Sequence, residues 1–89
     1  MMKLVIAIIK DSDAPPVMEA LLRKGFRVTR IASTGGFLRH GNVTLLIGTE
    51  EARVEELLET FVSSCATPPP GQHKATIFVI PMEQFIQLG

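Results

Sequence analysis

One pattern occurs twice in this chain: an apolar run, an acidic break, an amphipathic helical segment, then a second β-rich run. In the first half, Leu4-Val5-Ile6-Ala7-Ile8-Ile9 is continuous and β-branched, which predicts a strand central in a sheet or covered on both faces. Asp11-Ser12-Asp13 breaks it. Asp13 is the expected helix cap, with Pro15 and Pro16 in the first turn. Val17, Met18, Leu21 and Leu22 then fall on one helical face. Lys24 closes the last turn, and Gly25 supplies the left-handed stop. Phe26 to Ala32 starts by alternating, so it reads as a half-buried strand. Residues two apart share a face, so Arg27 and Thr29 point together, away from Phe26 and Val28.

The second half repeats the scheme. Val43 to Gly48 reads as a strand, Thr49 as a cap, and Glu50 and Glu51 suit the positive end of the next helix. Val54, Leu57, Leu58, Phe61 and Val62 form the expected buried stripe of that helix. Pro68-Pro69-Pro70-Gly71 marks a rigid turn, and Thr76 to Ile80 a last strand stopped by Pro81. The order β-α-β-β-α-β predicts an α+β, ferredoxin-like fold: an antiparallel sheet with both helices on one face. A chain of 89 residues is read as one domain, 1–89. Such a domain has a small interior, yet 46% of the residues are hydrophobic. The uncovered sheet face therefore calls for other copies of the chain, packed as a closed symmetric oligomer.

Composition narrows the function. Nine basic residues balance nine acidic ones, so there is no global field to hold DNA or RNA. Base-stacking readers use aromatics exposed on the sheet; this chain has no Tyr or Trp. A local basic cluster does exist in Arg23, Lys24, Arg27, Arg30, Arg39 and His40. A lone cysteine, Cys65, forms no internal disulfide or metal cluster and suits a reducing cytoplasm. The apolar N-terminal run is too short for membrane insertion. His40 and His73 have no carboxylate nearby in sequence, and no metal-ligand spacing occurs. Arg27 or Arg39 with Asn42 could imitate the arginine–asparagine pair of small hydrolases, but the surrounding pattern is absent. A binding protein without catalytic residues, metal or cofactor is the expectation.

The remaining signal is the segment Ser33 to Asn42. Glycines at 35, 36 and 41 allow backbone amides to approach a ligand and form an anion-binding nest. Arg39 offers a planar fork for phosphate. Asn42 both donates and accepts, which suits an adenine edge. Phe37 and Leu38 add apolar contact. Singly, each is an ordinary loop residue. Together, and beside Arg27 and Thr29, they point to a nucleotide or phosphate site.

The stretch Ala32-Ser33-Thr34-Gly35-Gly36-Phe37-Leu38-Arg39-His40-Gly41-Asn42 resembles the signature of the PII-like cyclic-di-AMP receptors. So do Lys3 to Ile9, Asp11, Gly25 to Thr29 and Phe78 to Pro81. The resemblance implies a bacterial signalling homotrimer with equivalent pockets between subunits, which binds cyclic-di-AMP and relays that state to a protein partner. It implies that Arg27 and Thr29 contact an adenine or the sugar-phosphate ring. Gly36, Phe37, Leu38 and Asn42 would line the pocket from the loop, and Gly48 would give room. Phe78 and Gln87 would complete it from a neighbouring chain. Gly25 stands where some members carry asparagine, and a usually long loop is reduced to Ala66–Lys74. That shortening keeps a second ligand class, ATP or ADP, in view.

Overall fold

A computed structural model describes residues 1–31 and 41–89. Its main elements are β1 (Met2–Lys10), α1 (Ala14–Arg23), β2 (Arg27–Ile31), β3 (Asn42–Glu50), α2 (Val54–Ser64) and β4 (Ala75–Pro81). The four strands lie in the order β2-β3-β1-β4, and each neighbouring pair is antiparallel. This is the ferredoxin-like α+β arrangement expected from the repeated pattern.

The two halves match closely. Each opens with a nine-residue strand followed by a three-residue 3-10 turn, Asp11–Asp13 or Glu51–Arg53, and then a helix. The Asp11 amide donates to the Gly41 carbonyl at 2.8 Å, and the Glu51 amide donates to the Met1 carbonyl at 2.9 Å. These equivalent bonds lock the two ends of the central β1–β3 pair.

Period-two side chains then separate two faces. Val5, Ala7 and Ile9 pair with Ile47, Leu45 and Val43, and all six are buried. Val17 and Leu21 of α1 and Leu57 and Phe61 of α2 close over them. The opposite face is built in rows across all four strands. One row is Arg27, Gly48, Leu4 and Ile80; the next is Thr29, Leu46, Ile6 and Phe78. Phe78, Val79 and Ile80 on the β4 edge are exposed.

Several local expectations are corrected. Asp13 makes no side-chain cap; its carboxylate instead accepts from the Ala66 amide at 3.1 Å and ties the end of α2 to the start of α1. Thr49 is not a cap either. β3 runs on through Glu50, and Thr49 is buried in it, because the 3-10 turn takes the place where the helix was expected to begin. Leu22 and Val62 leave the buried stripes, with 56% and 54% exposure. Each neighbours a fully buried residue, Leu21 or Phe61, and one 100° step rotates it off the narrow core contact. Thr60, which carries no apolar signal, is buried in place of Val62; its hydroxyl donates to the Glu56 carbonyl at 2.8 Å.

Cys65 follows α2 and is buried, as expected of an inert thiol. Burial raises its pKa, the Asp13 carboxylate adds to the rise, and Lys74 opposes it. Alkylation at neutral pH is therefore expected to be slow in the folded protein and to accelerate on adding denaturant. The folded state holds this proton more tightly than the unfolded chain does. Its contribution to stability is whole below the ordinary thiol pKa and fades as pH rises above it. Fast labelling of native protein would contradict this environment.

Candidate functional site

A cleft of about 780 Å³ opens where the β1–β3–β2 sheet end meets the α1–β2 turn and the chain after β4. Arg27 and Thr29 reach it from β2, and Gly48 forms its floor in β3. Register explains the grouping: Arg27 pairs with Gly48, and Thr29 with Leu46, so all four share one face. Gly48 leaves space above the floor. A Cβ there would stand 3.2 Å from the terminal methyl of Met82.

Residues after β4 fold back over this end. The Met82 amide donates to the Met2 carbonyl at 3.1 Å, and Phe85 and Gln87 reach the cleft. Gln87 Oε1 accepts from Arg27 Nη1 at 3.2 Å, within the same chain. Two guanidinium groups, Arg27 and Arg53, border the space against one carboxylate, Glu50. The Arg53 guanidinium is taken up by Glu56, the Lys24 carbonyl and the Phe26 ring. Among the described residues the cleft therefore combines the Arg27 fork with apolar walls, a composition fitted to an anionic ligand with flat apolar parts.

Four of the residues singled out from sequence, Arg27, Thr29, Gly48 and Gln87, come together here. Phe78 shares the sheet face but stands on the far edge, three strands from Thr29 and roughly 14 Å away at about 4.8 Å per strand. Asn42 is the first residue of β3, six positions from Gly48 and roughly 20 Å along the strand at 3.4 Å per residue. It borders a separate cavity of about 400 Å³ with Lys10, Gln72, His73 and Lys74. Gly36, Phe37, Leu38 and Arg39 lie outside the described residues.

Sequence reasoning missed Arg53, Met82, Phe85 and the outward role of Leu22, all of which border the cleft. Only Arg53 left a trace. It is a cation at the start of an otherwise acidic helix opening, Glu50-Glu51-Ala52-Arg53-Val54-Glu55-Glu56, where the helix dipole disfavours positive charge.

The fold and this basic, apolar-walled cleft are those of a small α+β protein with a candidate site for an anionic ligand. Residues 2–69 match the model of the cyclic-di-AMP receptor family. The chain belongs to that family. It is also similar to a crystal structure of a functionally unknown protein from Pediococcus pentosaceus ATCC 25745. The two share 38% identity over 98% of this chain and 97% of that one, with a TM-score of 0.77. The family match ends before β4, so Phe78 and Gln87 lie beyond it. Among the described residues, no helix is long and apolar enough to cross a membrane.

Proposed function

We propose that this chain is a cyclic-di-AMP sensor that holds its ligand at Arg27, Thr29 and Gly48, at the boundary between copies in a homotrimer, and relays the bound state to a protein partner. The observation that carries the reading is the convergence of those residues with Gln87 in one cleft of a cyclic-di-AMP receptor family member. A cyclic dinucleotide presents two phosphates and two flat bases. Arg27 supplies a fork for phosphate, and the walls at Leu22, Leu46 and Phe85 supply apolar surface for a base.

The split of the remaining residues supports a shared site. Asn42 and Phe78 are too far from Arg27 to serve the same pocket within one chain. The exposed apolar edge at Phe78, Val79 and Ile80 is a surface that a neighbouring copy would cover, bringing Phe78 to another chain's β2. In this reading Gly36, Phe37 and Leu38 also serve the ligand, as the family resemblance implies, no metal or other cofactor takes part, and a cytoplasmic setting supplies the nucleotide.

Isothermal titration with cyclic-di-AMP, run on protein whose mass is measured by light scattering, tests both halves. The expected result is one ligand per chain on a trimer. Absence of heat at high micromolar ligand with a folded trimer would rule out this ligand. The short Ala66–Lys74 segment favours one alternative, a mononucleotide such as ATP or ADP. Selective thermal stabilisation by ATP or ADP and not by cyclic-di-AMP would establish that instead.

A further inference from the structure

Arg53 reaches from the turn before α2 to the turn that follows α1. Its guanidinium carbon lies 4.0 Å above the centroid of the Phe26 ring. Its Nη2 donates to the Lys24 carbonyl at 2.9 Å, and its Nε donates to Glu56 Oε1 at 3.0 Å. A second tie runs in parallel: Lys24 Nζ donates to Thr60 Oγ1 at 2.8 Å. Both residues of the turn that flank Gly25 are therefore gripped by α2 or the turn leading into it.

Gly25 itself is not gripped. It has φ of +84°, and nothing lies within 4 Å of the place its Cβ would take. Packing at the glycine cannot set the height of this turn. Yet Gly25 and Phe26 form the rim of the cleft, and Arg27 follows immediately. Arg53 is 38% exposed at its side chain, so its position is defined by directed contacts as well as burial.

We infer that Arg53 is a positioning residue for the ligand cleft: by clamping Lys24 and Phe26 it fixes the rim beside Arg27. One planar guanidinium makes both contacts, stacking on the ring by its face and donating to the carbonyl in its plane. The effect on ligand rests on the cyclic-di-AMP reading above; the clamp itself does not.

The test compares wild type, Arg53→Met and Arg53→Lys. Affinity for cyclic-di-AMP is expected to fall about tenfold in Arg53→Met, the loss of one charge-assisted contact and its stacking, and to recover in part in Arg53→Lys. Amide exchange in the ligand-free protein gives an independent reading. The Gly25 and Phe26 amides donate to the Leu22 and Leu21 carbonyls, both at 3.0 Å, so their protection can be followed. In Arg53→Met they are expected to exchange faster, while the amides of Val5 and Leu45 in the core strands keep wild-type protection. A uniform loss of protection, core included, would mean a general structural role and overturn the inference. So would wild-type affinity with unchanged exchange in Arg53→Met. If wild type binds no cyclic-di-AMP but the exchange change is confined to the turn, the clamp stands and the ligand assignment falls.

Discussion

Arg27→Ala is expected to weaken cyclic-di-AMP binding by about 10- to 100-fold while leaving the thermal midpoint nearly unchanged, since a charge-assisted hydrogen bond contributes roughly 1.5–3 kcal/mol. Arg27 is exposed on the free sheet face, and its described side-chain bond is to Gln87. Nothing in the core depends on it. The fold should therefore survive the change, and the whole effect should appear in affinity. Arg27→Lys keeps the charge and loses the fork, so it should fall between the two. The affinity of Arg27→Ala should also lose much of its salt dependence, because a phosphate contact has been removed. Glu55→Ala is the control. Glu55 is exposed in the first turn of α2 and has no place in the cleft. Equal affinity in Arg27→Ala, Glu55→Ala and wild type would show that the ligand sits elsewhere.

Arg27 and Thr29 were legible because strand alternation is a local rule. Once Phe26 and Val28 face the core, the next residues must face away. The strands and helices followed for the same reason, since apolar spacing and the Gly25 stop are written within a few residues of each other. The 3-10 turns were not legible. Three residues carry too little periodicity to mark one, so Thr49 read as a cap when it is the buried penultimate residue of β3. Leu22 and Val62 show a related limit. An apolar stripe predicts a face, but the width of the contact is set by how closely α1 and α2 approach the sheet.

The cleft needed more than local rules. Gly48 meets Arg27 only because β3 pairs with β2 in one register. Met82, Phe85 and Gln87 arrive from the far end of the chain after β4 has crossed the sheet. Their short apolar segment looks like an ordinary tail in sequence. Family resemblance supplied Gln87 as a site residue; within this chain it bonds to Arg27. On the proposed reading, a ligand phosphate at Arg27 would displace or share that bond. The Arg27–Gln87 bond joins residues 60 positions apart, a contact that no periodicity could announce.

Gly48→Val is expected to reduce cyclic-di-AMP affinity on the order of 100-fold, because its methyls would occupy the space that the ligand must enter, and overpacking typically costs about 1–3 kcal/mol. Gly48 sits between Leu4 on β1 and Arg27 on β2, so any side chain there projects into the cleft between them. The nearest atom to a new Cβ is the Met82 methyl at 3.2 Å, the far end of a flexible side chain that can swing aside. Strand conformation also favours valine over glycine. The folded state should therefore tolerate the change, and the thermal midpoint should stay close to wild type. Gly48→Ala adds one methyl and should give a smaller loss, about tenfold or less. A graded decline from Gly to Ala to Val at constant stability is the signature of steric exclusion from an occupied pocket. A stable Gly48→Val protein with wild-type affinity would place the ligand outside this cleft, even if Arg27→Ala bound weakly, because long-range charge could account for the arginine but not for an unfilled floor.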